Sequence, residues 1–133
     1  MTKLGLIAGG GDLPLAIGRR CEAEGRPFHV IRLAGFADPH LERWPGAEFG
    51  MAEIGGILKA LKTEGCGAIC LAGNVARPDF KSLRPDLKGA SVLPGIVAAA
   101  TKGDDALLRK ILSVFEAEGF AVEGADDILG GET

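Results

Sequence analysis

Lys3-Leu4-Gly5-Leu6-Ile7-Ala8-Gly9-Gly10-Gly11-Asp12-Leu13-Pro14 is the stretch whose reading decides the fold. A short apolar run ends in three glycines and passes into a segment of helical spacing. The run reads as a buried strand, and Pro14 suits a first helical turn, where its missing N–H is not needed. Glycines between strand and helix allow positive φ and close approach of another molecule, with no Cβ in the way. The free N–H groups of the next helix then point into the loop, the arrangement that holds a phosphate or another anion. The bland alternative is that the glycines only make a tight turn.

This loop is not an ordinary dinucleotide fingerprint. That motif needs a glycine where Pro14 stands, and an acid at the end of the second strand. The second strand, Pro27 to Leu33, carries Arg32 there. No Gly-Lys-Ser/Thr follows the glycines, which argues equally against a Walker loop.

Working outward, Leu13, Ala16, Ile17 and Cys21 recur at helical spacing, with Gly25 as a stop before Pro27. A strand, a helix and a second strand imply parallel pairing through a right-handed crossover. Residues 34–48 read as an irregular loop, with Trp44 as an anchor, His40 in solvent and a short strand near Glu48-Phe49-Gly50. Ile54, Ile57, Leu58 and Leu61 make a helical stripe. Gly67 to Ala72 is nearly all apolar, as a central strand buried on both faces should be. The polar loop that follows, Gly73 to Phe80, leaves the carboxyl end of that strand, where ligands sit in open α/β sheets. Residues 81–89 read as a surface loop, Pro94–Ala100 as a short helix, and Leu107 to Phe115 as a strong amphipathic helix with Asp104 as its cap. Phe120 to Glu123 reads as a last short strand. The order predicts a Rossmann-like three-layer α/β/α sandwich with a mainly parallel sheet, residues 1–133 forming one domain.

Composition narrows the function classes. At 133 residues and 47% hydrophobic content, one domain can bury a real core. A net charge of -3 argues against non-specific nucleic-acid binding, and the absence of Tyr with only one Trp leaves little to stack on bases. Three cysteines, Cys21, Cys66 and Cys70, lie in apolar segments and read as buried reduced thiols of a cytoplasmic protein. Neither a signal peptide nor a membrane span is expected.

Chemistry then rests on two loops. If their strands are neighbours, Gly9–Asp12 and Gly73–Asp79 open on one edge. The amide of Asn74 and the guanidinium of Arg77 would join them; the Arg77 fork suits a pyrophosphate or carboxylate, or else pairs with Asp79 or Asp12. Asp104-Asp105 would suit a share in a magnesium site or simply a helix start. No Ser-His-Asp, Cys-His or metal cluster is visible. The residues describe a binding half without catalytic machinery.

Three motifs occur in order: Lys-Leu-Gly-Leu-Ile-Ala-Gly-Gly-Gly-x-Leu-Pro at 3–14, Ala-Gly-Asn-Val-x-Arg-Pro-Asp-Phe at 72–80, and Lys-Gly-Asp-Asp-Ala-Leu-Leu-Arg at 102–109. With Phe36-Ala37-Asp38-Pro39 and Glu118-Gly119-Phe120, they resemble the LpxI-type UDP-2,3-diacylglucosamine pyrophosphatases over essentially the whole chain. The resemblance implies a magnesium-dependent hydrolase of lipid A biosynthesis in Gram-negative bacteria, cleaving UDP-2,3-diacylglucosamine to lipid X and UMP. It implies a Rossmann-like amino-terminal domain, and a carboxy-terminal domain, absent here, that supplies the catalytic aspartate and the metal. No catalytic or metal residue is expected in this chain. Substrate contacts are assigned to Gly9, Gly10, Gly11, Asp12, Leu13, Asn74, Arg77, Asp79, Lys102, Asp104 and Asp105. The expected place is the cytoplasm, with the inner-membrane surface within reach of the full-length enzyme and a homodimer left open. The competing reading is a stand-alone nucleotide- or anion-binding module without hydrolytic activity.

Overall fold

The computed structural model describes residues 1–76 and 79–130. Five strands, β1 (Leu4–Ala8), β2 (Phe28–Leu33), β3 (Gly46–Phe49), β4 (Ala68–Ala72) and β5 (Ala121–Val122), form one sheet in the order β3-β2-β1-β4-β5. Every pairing is parallel, with Leu4 opposite Phe28 on one side and Ala68 on the other. β1 and β4 are therefore neighbours, and their loops leave the same edge.

The two-residue period of the strands sorts the core into two layers. Leu4, Leu6 and Ala8, with Val30, Ala68, Cys70 and Ala72, face α1 (Leu13–Glu24) and α5 (Ala125–Leu129). Ile7, Ile31, Leu33 and Ile69 face α2 (Ile54–Thr63) and α4 (Asp104–Ala117). The remaining helix, α3 (Leu87–Ala100), packs against α4 and α2. This is the expected three-layer α/β/α sandwich.

Trp44 anchors its loop by lying on Gly18 of α1, where a Cβ would come within 2.3 Å of its ring. Phe28 meets that ring edge-on at 5.4 Å. All three cysteines are buried free thiols, and burial pushes Cys70 up to about 11.

Four local expectations are corrected. α3 begins at Leu87 rather than Pro94, because the Asp86 carboxylate accepts from the Gly89 amide (2.8 Å) and caps it. Pro94 is tolerated inside because Ala90, whose carbonyl loses its partner, lies on the exposed side. Gly103, with φ of 120°, is the N-cap of α4, so Asp104 and Asp105 occupy its first turn instead. β3 starts at Gly46, and α5 follows β5 where no helix was expected.

Candidate functional site

The glycine loop and the Gly73 loop are zipped together. Gly10 donates to the Asn74 carbonyl and the Asn74 amide donates back to Gly10, each at 2.8 Å, while Gly9 donates to the Ala72 carbonyl. A Cβ on Gly9 would meet the Asn74 carbonyl oxygen at 2.7 Å, and one on Gly10 the Phe36 carbonyl oxygen at 2.8 Å. Gly73 holds φ of 100° and sits equally close to Gly10. The glycines thus meet a geometric need inside the protein: two loops and the Phe36 turn approach backbone to backbone.

Beyond that bridge the α1 terminus opens. Asp12 stands at its N-cap but makes no side-chain cap hydrogen bond, and Pro14 has no N–H. The first-turn amides of Leu13 and Leu15 are donors of the kind that an anion satisfies, at the positive end of the helix dipole. Gly11, Asp12 and Asn74 are exposed beside it.

Next to the loops lies a cavity of about 620 Å³ at the carboxyl edge of the sheet. Its floor is Ile7, Leu33, Leu71 and Ala72, the carboxyl ends of three strands. Met51, Ala52, Ile54 and Ile57 form one wall, and Leu93, Ile96, Leu107, Leu108 and Ile111 of α3 and α4 the other. Phe80 and Leu83 close one side; Gly9, Leu13, Gly73 and Val75 bring the loop tips to its rim. Among the described residues, Asp104 is the one charged residue lining it. A long apolar chamber with a polar, amide-rich lip suits an amphiphile: a hydrocarbon inside and an anionic head at the loops.

Asp86 holds this chamber in shape. Besides capping α3, its carboxylate accepts from Gly55 (3.1 Å) and Gly56 (2.8 Å) at the start of α2. Burial raises its pKa, but backbone amide donors, those of Gly89, Gly56 and Gly55 and its own, outweigh that and hold the carboxyl below the usual range.

The structure therefore gathers Gly9, Leu13 and Asp104 around one cavity, with Gly10, Gly11, Asp12 and Asn74 at its lip. Asp79 caps the 3-10 turn Phe80–Ser82 by accepting from the Lys81 amide. Asp105 pairs with Arg109 on the exposed face of α4, and Lys102 is exposed in the turn before it. Arg77 lies outside the described residues. The chamber itself was missed by the motifs, because Met51, Phe80 and Leu83 come from irregular segments with no periodic signal. Among the described residues, no three His, Cys, Asp or Glu side chains converge as a cation site would require.

Residues 3–131 match the family described as LpxI N-terminal domain. Over 130 residues the chain is 58% identical to UDP-2,3-diacylglucosamine pyrophosphatase LpxI of Caulobacter vibrioides, covering 98% of this chain and 46% of that protein. The chain thus spans under half the length of the relative it matches.

Proposed function

The chain belongs to the LpxI family through its N-terminal domain, and from that premise we propose that it is the substrate-binding half of a UDP-2,3-diacylglucosamine pyrophosphatase. The observation that carries the reading is the apolar chamber of about 620 Å³ set directly against a helix N-terminus and two polar loops. The substrate has the matching two-part chemistry of acyl chains and a pyrophosphate joining sugar to nucleoside.

In this reading the acyl chains lie among Leu107, Leu108, Ile111 and Ile96. The phosphate on the glucosamine meets the Leu13 and Leu15 amides, the Asn74 carboxamide and the Lys102 cation. The Gly10–Asn74 bridge keeps the lip at fixed spacing, so less binding energy is lost to ordering the loops. Hydrolysis breaks a phosphorus–oxygen bond of the pyrophosphate, water entering, to give lipid X and UMP. In this reading the catalytic aspartate and the Mg2+ that the resemblance implies belong to a second domain. We assign the reaction to lipid A synthesis in a Gram-negative cytoplasm. Among the described residues no helix is long and apolar enough to cross a membrane.

The test is UMP release from UDP-2,3-diacylglucosamine in detergent micelles. The natural full-length protein should release UMP with Mg2+, whereas residues 1–133 should bind lipid X and release none. Full-rate hydrolysis by residues 1–133 would move catalysis into this chain. Micromolar binding of NADH in place of lipid X would overturn the assignment.

A further inference from the structure

The chamber has an open end and a closed one, and helix α4 runs from the first to the second. Asp104, Leu107, Leu108, Ile111 and Phe115 all line it. Their spacing of three and four residues puts them on one stripe of the helix. Along that stripe exposure falls: Asp104 is exposed, Leu108 is 47% exposed, Ile111 is half-buried and Phe115 is 2% exposed. The helix rises about 16 Å from Asp104 to Phe115, a depth that suits an extended chain better than a compact group. Ile7 and Ile57 also line the chamber, are as deeply buried as Phe115 and belong to the same core cluster.

Past Phe115 the core is filled. Its ring meets Phe120 edge-on at 6.5 Å. Leu61, Cys66 and Ile69 are buried in the same cluster, and none of them lines the chamber. The backbone at the closed end is pinned too, since the Glu118 and Phe120 amides both donate to the Phe115 carbonyl. A close-packed interior does not make room for an added methylene without cost. The deep walls carry apolar side chains, and Asp104 stands at the lip. Such walls tell one hydrocarbon from another by length and bulk. Each methylene that enters adds roughly fourfold to binding, until the chain meets the closed end.

We propose that Phe115 is a specificity-determining residue, the stop that sets the longest acyl chain the chamber accepts. A chain enters at the Asp104 end, runs along the α4 stripe past Leu108 and Ile111, and its terminal methyl abuts the Phe115 ring. The phosphate is held at the start of α1, so a chain too long for the chamber pulls the headgroup off the Leu13 and Leu15 amides or leaves methylenes in water. The inference deepens the preceding one and rests on it, since it needs an acylated substrate whose phosphate is fixed at the lip.

The experiment measures UMP release by the natural full-length protein from a series of UDP-2,3-diacylglucosamines that differ only in the length of their saturated acyl chains. Wild type should gain kcat/KM with each methylene up to a limit and lose it beyond. Phe115→Leu should favour the first chain past that limit roughly tenfold, relative to the chain at the limit. Ile111→Phe, partway along the same stripe, should disfavour the longest accepted chain by a similar factor relative to a short one. Each readout is a ratio between two substrates in one sample, compared with the same ratio for wild type. Partial unfolding and partition into detergent therefore cancel. Ile111 is half-buried, and its variant decides the matter where Phe115→Leu does not fold. If wild type releases UMP but a folded variant keeps the wild-type length profile, the stop is overturned while the function stands. A wild type that accepts every length alike overturns it as well. Failure of wild type to release UMP from any member of the series overturns the proposed function and the stop with it.

Discussion

The two edges of the sheet are built on different principles. At the amino edge, Arg26 forks onto Glu123 with bonds of 2.8 and 2.7 Å and also donates to the Thr2 carbonyl, tying β1, β2 and β5 together. Lys3 pairs with Glu64 close by, and the backbone staples Leu4 to Pro27 and Gly67 to Lys3. His29 is buried there, and desolvation lowers its pKa despite nearby Glu64, so it is held neutral. At the carboxyl edge the backbone bridge of Gly10 and Asn74 joins two loops, Asp86 ties the start of α2 to that of α3, and the space between helices is left as a chamber. The difference teaches a division of labour. One edge is closed by charge; at the other, glycines let two loops meet backbone to backbone beside the chamber that the proposed function fills with ligand.

The contrast can be broken from either side. Gly10→Val should have the largest effect, about 3 kcal/mol of stability, because its side chain would strike the Phe36 carbonyl. Urea unfolding measures it, and a folded variant of normal stability would show that the loops have more room than the geometry allows. Arg26→Ala should cost about 1.5–3 kcal/mol by leaving Glu123 half-buried and unpaired. Lipid X affinity should stay unchanged, and a loss of both would mean that the edges are coupled.

Leu108→Asp reverses that pattern. Leu108 is 47% exposed on the chamber wall, so the fold should survive. Lipid X affinity, read by calorimetry, should fall about tenfold as a charge enters an apolar space. Asp105→Asn, on an exposed helix pair, should change stability by less than about 0.5 kcal/mol.

The amino edge should also dominate the acid limb of stability. The Arg26 hydrogen bonds hold Glu123 below its ordinary pKa of 4.5. A depressed folded value adds stability that is complete above the unfolded pKa and is lost as pH falls through the folded one. Stability should therefore decline below about pH 4.5, and Arg26→Ala should flatten that decline. An acid limb of equal slope in the variant would assign it to other carboxylates.

How much of this was legible from residues alone follows from the range of each interaction. β1 and β4 announce themselves as continuous apolar runs, and the Pro14 and Gly25 signals bound α1 to within a residue or two. The start of α3 is hidden because Asp86 is fixed partly by Gly55 and Gly56, about thirty positions earlier in the chain. α5 has five residues, too short for its period to register, whereas the apolar Phe120 to Val122 run announces β5 although only two of its residues pair. Three glycines in a row mark a close approach but not what approaches. Here the neighbours of Gly9 and Gly10 are Asn74 and Phe36. The chamber is a product of packing between α2, α3 and α4.

The central claim is that an amphiphile binds with its chains in the chamber and its phosphate at the start of α1. The most direct measurement is a lipid X titration of the natural full-length protein followed by NMR. Methyl signals of Leu107, Leu108 and Ile111 and amide signals of Leu13 and Leu15 should shift together, with Val122 and Glu123 unmoved. Shifts confined to the amino edge, or headgroup shifts without any at the chamber methyls, would contradict it.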